Sequence, residues 1–383
     1  MFTALNEAFV NELESIKNSY YKLFLLTLFP LLSFILIIAI FYSGVVRDLP
    51  ITVIDNDKSK LSSRLLFNLE SSPTIKISNY SNSHKEALTL LQSGKVYAIL
   101  VIPSHFYRDI LLQKQPKVSV MLNTQYILIG KILTSALTTT LMSSSAEVEY
   151  VKNLQQLQNP YATLNSLSPI GLQVTPFFNT YQNYFLFLVS ALLPAIWQIF
   201  IVLATLITFG KLFKSKREKE FFKDEYVASR ITGKLLPYTF AYTLIGIMNL
   251  FYIYGTLGWS FQGSFALMIF ATFVTVVAYQ AVALTLFVTG FDYARSLSLG
   301  AVYTAPAFAF IGVTFPSNNM NDFSLFWRDI LPITHYIELQ ISQANYGLDI
   351  FLELEKLLTL FSFWMLFIVV VFMFKKRLKR KDS

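Results

Sequence analysis

The chain has 383 residues, of which 54% are hydrophobic and only 14% charged, with a net charge of +8. Soluble domains carry about 25% charged residues, and a soluble fold of this size could not hide so much apolar surface. Together with 36 Phe and 21 Tyr, this excludes a disordered chain, a disulfide scaffold and an ordinary soluble enzyme, and points to a membrane protein. The absence of cysteine excludes disulfides, thiolate metal sites and cysteine nucleophiles. The positive charges cluster beside apolar runs, which reads as membrane orientation, with no nucleic-acid partner expected.

Residues 1–22 are polar with apolar positions at Phe2, Leu5, Phe9, Leu13, Ile16 and Tyr20. That spacing predicts an amphipathic helix lying on the cytoplasmic face of the bilayer. The charge-free stretch 23–42 predicts a first span, within 23–44. It is too long and begins too late for a signal peptide, so it reads as an uncleaved anchor.

Residues 45–180 are too many for a loop and have the size of a small domain. Their pattern alternates. A strand is expected at 51–54, a helix capped by Asp57 and running to Glu70, and a strand at 74–77. A helix opened by a Ser83–Glu86 capping box ends at Gly94. A strand at 96–102 is stopped by Pro103, and a helix at 106–113, a strand at 118–122 and a long helix at 127–158 follow. This is an α/β domain.

Beyond it, 184–209 predicts a second span. The charge-free run 235–291 is too long for one span, and Gly255, Gly258 and Gly263 divide it into spans at 235–257 and 264–289. A fifth is expected within 296–321 and a sixth at 357–374, a bilayer core of about 30 Å needing roughly 20 residues per helix. The expected fold is therefore an α-helical integral membrane protein. It has six transmembrane helices, with spans two to six in 181–374, and an α/β extracytoplasmic domain inserted between spans one and two.

Orientation follows from the basic residues. Lys211, Lys214, Lys216, Arg217, Lys219 and Lys223 crowd the link after span two. Lys375, Lys376, Arg377, Lys379, Arg380 and Lys381 crowd the tail 375–383. The turn between spans three and four is uncharged, and the stretch between spans five and six is net acidic. The positive-inside rule then places both termini in the cytoplasm and 45–180 outside.

Little in the sequence speaks for chemistry. Four Gly-Lys pairs occur, at 94, 130, 210 and 233, but none is followed by the Ser or Thr that a P-loop needs. His84, His105 and His335 form no ligand pair. Asp55, Asp57 and Ser59 imitate a calcium loop, but Lys60 and Leu66 stand where Gly and Glu are required. No G-x-S-x-G elbow occurs. No cofactor is expected on this chain.

The spans carry uncharged polar residues. Gln198, Thr205, Asn249 and Thr304 are candidates for a mildly polar substrate path, with helix–helix hydrogen bonding as the alternative reading. No ionisable group sits mid-span, which argues against an ion-coupled carrier. Pro30, Pro194 and Pro306 predict kinks. The link 211–230 mixes both signs with aromatics, and Arg217, Glu218, Glu220, Phe221, Phe222 and Tyr226 are its candidates for docking a partner.

Several stretches carry a family resemblance. They are Ile51-Thr-Val-Ile-Asp-Asn-Asp57, Leu91-Gln-Ser-Gly-Lys-Val-Tyr-Ala-Ile-Leu-Val-Ile-Pro103 with Phe106, and Gly233-Lys-Leu-Leu-Pro-Tyr238. Further along come Phe315-Pro316 with Met320, and Leu331-Pro-Ile-Thr-His-Tyr336 followed by Gly347. In order and spacing they resemble the membrane subunit of type-2 ATP-binding-cassette (ABC) exporters, in the subgroup with a large extracytoplasmic domain after the first span. The resemblance implies a permease in a bacterial inner membrane that works with a separate cytoplasmic ABC ATPase, which holds ATP and magnesium. It implies a homodimer or a heterodimer with a similar permease, and a periplasmic adaptor is a further candidate partner. Substrates of the family are amphiphilic or hydrophobic: drugs, lipids and glycolipids. The segment 322–352 would re-enter the membrane from outside, and 211–230 would take the ATPase-coupling role. One departure stands out: Arg217-Glu-Lys-Glu220 is followed by Phe221-Phe222 rather than Gly-Thr. The alternatives are a membrane-anchored receptor or assembly factor without an ATPase, and a membrane enzyme, for which no cluster of carboxylates or histidines is offered.

Overall fold

The computed structural model describes residues 1–42, 46–112, 114–125, 127–157, 183–222, 226–313 and 317–380. It divides into two compact units, Met1–Gly44 with Pro176–Ser383, and Val45–Thr175. Phe315, Pro316, Lys223, Lys381 and the part of the expected outer domain beyond 157 lie outside the described residues.

Helix α1, Phe2–Lys17, buries Ala4, Ala8, Glu12 and Ile16. These recur every four residues, so they share one face of a helix. The stripe differs from the expected apolar one, with which it has only Ile16 in common. Phe2 and Leu13 remain exposed. Helix α2, Tyr20–Leu26, starts at Ser19 and yields at Thr27 to α3, Leu28–Phe41. The break falls three residues before Pro30, whose ring and missing N–H disrupt the preceding turn.

The second unit holds β1 (Leu49–Asp55), α4 (Lys60–Glu70), β2 (Ile75–Tyr80), α5 (His84–Gln92), β3 (Ala98–Ile102), α6 (Phe106–Leu111), β4 (Ser119–Leu122) and α7 (Ile127–Leu157). The sheet order is β2-β1-β3-β4. β1 runs parallel to both β2 and β3, and β4 is antiparallel to β3. Parallel strands covered on both faces read as unbroken apolar runs, which explains Ile51, Val53 and Ile54 and all of β3. One face packs Leu65, Leu66 and Leu69 of α4 with Leu133 and Leu137 of α7; the other packs Ile54, Ile99 and Val101 on Ala87 of α5. Two details refine the sequence expectation. The cap of α4 is Ser59, in a reciprocal box with Ser62, not Asp57. The Asp57 carboxylate instead accepts from the Tyr107 amide at 3.1 Å, tying the start of α6 to the β1 loop. Ser83 does cap α5, accepting from the Glu86 amide.

The first unit resumes with α8 (Tyr184–Lys214), a four-residue helix α9 (Glu218–Phe221), and α10 (Val227–Leu250), which runs on as a π-helical turn over Phe251–Thr256. Then come α11 (Phe265–Val288), α12 (Tyr293–Thr304), α13 (Ala307–Phe310), α14 (Asp322–Asp329), α15 (Pro332–Ile341), α16 (Leu354–Ser362) and α17 (Leu366–Arg380). Among the described residues five helical stretches are long and apolar enough to cross a membrane: Tyr20–Phe41, Phe185–Lys214, Val227–Thr256, Phe265–Val288 and Ile350–Lys379. The fifth span expected within 296–321 is not one helix. It is α12 and α13, parted at Pro306. The 12 residues of α12 rise only about 18 Å, short of a bilayer core.

The two ends of this unit are chemically distinct. At one, Phe209, Phe213, Phe287, Phe291 and Phe374 form a ring cluster, with Arg377 over Phe291. At the other, the turn before α11 is stitched to the π-helical turn Ser342–Tyr346 that follows α15: Gly263 N–H donates to the Gln343 carbonyl and Ser264 N–H to Gln343 Oε1. α15 sits deep in the bundle, with Ile333, Tyr336, Ile337 and Leu339 buried.

Candidate functional site

At the Phe374 end, α1 lies across the start of α10. Gly233 makes this close approach: an added Cβ would sit 2.3 Å from the Leu5 carbonyl oxygen and 3.0 Å from Ala8 Cβ. The contact brings Glu12, 2% exposed, against Lys22 and Lys234, each 8% exposed. The carboxylate accepts from Lys22 Nζ at 2.5 Å, from Tyr238 Oη at 2.8 Å, and from Lys234 Nζ. Lys22 also donates to Ser15 Oγ at 2.8 Å. One turn earlier on α10, Arg230 pairs with Glu7 at 3.1 Å. A charge is held this deep only when paired and hydrogen-bonded, and here one carboxylate serves two ammonium groups. The result is a lock between α1, α2 and α10.

The short helix α9 joins this lock. The Phe221 ring lies 5.1 Å from Lys234 Nζ and 5.9 Å from the Arg230 guanidinium carbon, within cation–π range. Phe222 is buried and meets Phe374 at 5.3 Å. Of the six residues expected in the coupling segment, Phe221 and Phe222 are therefore turned inward, and Glu218 is buried as well. Arg217, Glu220 and Tyr226 remain on the surface. The sequence reads the aromatic pair as an anchor for a docking partner. It instead fastens α9 to the bundle, because ring partners arrive from helix ends far apart in sequence.

The four residues of the candidate substrate path are all buried, and the structure brings two of them together. Gln198 Nε2 reaches the Thr304 carbonyl at 3.5 Å, while its Oε1 accepts from Tyr279 Oη. Tyr279 Oη in turn accepts from the Ile333 amide at 3.0 Å, so the network spans α8, α11, α12 and α15. Thr205 bonds back to the Ile201 carbonyl at 2.8 Å on its own helix, and Asn249 lies on α10. Neither joins the Gln198 network.

The residues missed from sequence are Glu7, Glu12, Lys22, Arg230 and Lys234. The available signals were Glu12 in register with Ala4, Ala8 and Ile16, and Lys234 with Tyr238 one turn apart behind Gly233.

Five apolar helices tied by buried polar networks define a multi-pass helical membrane protein. Residues 22–375 match the family described as ABC-2 family transporter protein, and the chain belongs to that family. No curated protein matches it. Membership makes the chain the membrane-embedded permease component of an ABC transporter and implies an ABC ATPase partner. The match begins at residue 22, so the part of the lock supplied by α1 lies ahead of it.

Proposed function

We propose that the chain is the permease half of an ATP-driven exporter for amphiphilic or hydrophobic substrates, with hydrolysis in a separate subunit docked on the Lys211–Arg230 side. The observation that supports this most is the convergence of α1, α9 and the start of α10 on Glu12, Lys234 and Phe221. A push on the exposed Arg217, Glu220 and Tyr226 would then move α9, α10 and α1 as one body, the rigid-element motion by which such couplings work. Expected directly: the purified chain turns over no ATP, and turnover appears when its ATPase is added. Hydrolysis by a clean preparation of the chain alone would overturn the reading.

The topology belongs to the same proposal: bacterial inner membrane, both termini cytoplasmic, 45–180 outside, and a dimer with itself or a similar permease, with or without a periplasmic adaptor. The basic link 211–223 and the basic tail must lie on one side, which needs an even number of crossings between them. Val227–Thr256, Phe265–Val288 and Ile350–Lys379 supply three, so the broken pair α12–α13 is assigned the fourth. The chain has no native cysteine, which suits single-cysteine labelling. Cysteines at Ser81 and Asn318 should react with an impermeant reagent applied outside, and one at Ser215 should not. Protection at 318 with labelling at 81 would remove the crossing assigned to α12–α13.

A further inference from the structure

The second unit carries an open cleft of about 340 Å³ at the carboxyl ends of β1 and β2. It lies on the β2 side of β1, away from the β1–β3 switch point at which α/β folds commonly bind ligands, and its volume is in the range of a small-molecule site. One wall is α4, through Phe67 and Glu70; the other is Tyr80, the last residue of β2, with Asp55 and Lys58 at the floor and rim.

Two features of the lining are unusual for a small, well-packed domain. First, both rings are held out in solvent: Phe67 is 69% exposed and Tyr80 62%. The buried face of α4 is Ser62, Leu65, Leu66 and Leu69, so Phe67 has no part in the core. Second, the charged groups of the lining have no counter-ion. Among the described residues neither Glu70, Asp55 nor Lys58 makes an ion pair. The Asp55 carboxylate is fixed in place by the amides of Asp57 and Lys58, both at 3.0 Å, and by Ser62 Oγ at 2.8 Å, yet no cation neutralises it. Partial desolvation of the Tyr80 hydroxyl is the largest cause of its raised pKa, and the nearby Glu70 and Asp55 carboxylates add to it.

We propose that this cleft binds a small organic cation, an ammonium group carrying an aromatic or aliphatic body, between the Phe67 and Tyr80 rings and the Glu70 and Asp55 carboxylates. Aromatic faces attract such cations and give most where the charge is partly desolvated. An organic anion would meet two carboxylates against one lysine. A metal ion is disfavoured too: no group of three His, Asp or Glu able to hold one occurs among the described residues. The site is additional to the transport reading and does not rest on it.

The test is calorimetric titration of the full-length chain in lipid nanodiscs, without ATPase, using phenyltrimethylammonium as probe. One saturable site per chain is expected. Glu70→Gln and Phe67→Ala should each weaken binding about two- to fivefold, the scale of one cation–π or charge contact at an exposed site. Both residues are exposed, so folding should be retained, checked by an unchanged unfolding midpoint. Tyr80→Phe keeps the ring and should bind within about twofold of the parent, whereas Tyr80→Ala should not. Lys58→Gln should tighten binding. The absence of saturable binding overturns the proposal. So does binding that neither Glu70→Gln nor Phe67→Ala alters, which would place the cation elsewhere. Displacement by benzoate through Lys58 would overturn the charge assignment.

Discussion

Glu12→Ala is expected to be the most damaging single substitution in the membrane unit outside its apolar core. The carboxylate is the common acceptor for Lys22, Lys234 and Tyr238. Its removal leaves two buried ammonium groups side by side, with Ser15 the only other acceptor described for either. Breaking a buried ion pair from one side costs about 3–5 kcal/mol, because the orphaned charge keeps its desolvation penalty. Whole domains are stable by only about 5–15 kcal/mol. The cheapest escape is for α1 to leave α10 and let water reach the lysines. Glu12→Gln should fare little better: it restores volume and an acceptor for Tyr238 but no charge. Adding Lys234→Met to Glu12→Ala removes one of the two orphans and should recover part of the loss. Thermal unfolding in detergent, followed beside ATP turnover of the complex with its ATPase, reads both effects. A Glu12→Ala midpoint and turnover equal to the parent would show that the lock carries neither stability nor coupling. A double variant worse than Glu12→Ala would sink the orphan-charge account.

Much of the architecture was legible because it is written in local patterns. Four of the six expected spans are continuous long helices or nearly so, and the strands of the second unit fall within three residues of the expected 51–54, 74–77, 96–102 and 118–122, the largest difference being β2, which runs on to Tyr80. Those runs are short, apolar and bounded by turn residues, and tertiary context had little to override. What was not legible depends on residues distant in sequence. Glu12 and Lys234 are 222 positions apart, and each alone looks like an ordinary solvated charge. The same limit hid the fate of Phe221 and Phe222. Surrounded by Lys and Glu in sequence they read as surface anchors, yet Arg230, Lys234 and Phe374 cover them in space. Pro306 signals only a kink in the sequence, whereas the structure has a break there. It divides the segment into helices of 12 and 4 residues, too short separately to satisfy a single-helix span.

Gly233→Ala tests the same lock from the other side of the interface, and two opposing terms decide its sign. In an unobstructed helix the change stabilises by up to about 1 kcal/mol, since Ala forfeits less backbone entropy. At Gly233 the new methyl would meet the backbone of α1, 2.3 Å from the Leu5 oxygen and 3.1 Å from its carbonyl carbon. Backbone cannot rotate away as a side-chain tip can, so α1 must shift by roughly an ångström, and overpacking of this kind costs about 1–3 kcal/mol. The shift also stretches Glu7–Arg230 and Glu12–Lys234, on the residues flanking the clash. The net expectation is destabilisation, with α1 partly undocked. Trypsin should then cleave faster after the exposed Lys17, at the Asn18–Ser19 turn that joins α1 to α2. Gly255→Ala is the matched control, because its added methyl meets nothing nearer than Phe251 Cδ1 at 3.7 Å; it should be neutral or mildly stabilising. Faster cleavage and a lower unfolding midpoint for Gly233→Ala alone would establish the close helix crossing. Equal behaviour of the two variants would mean that α1 does not pack on Gly233 in the working protein, and that the burial of Glu12 has another cause.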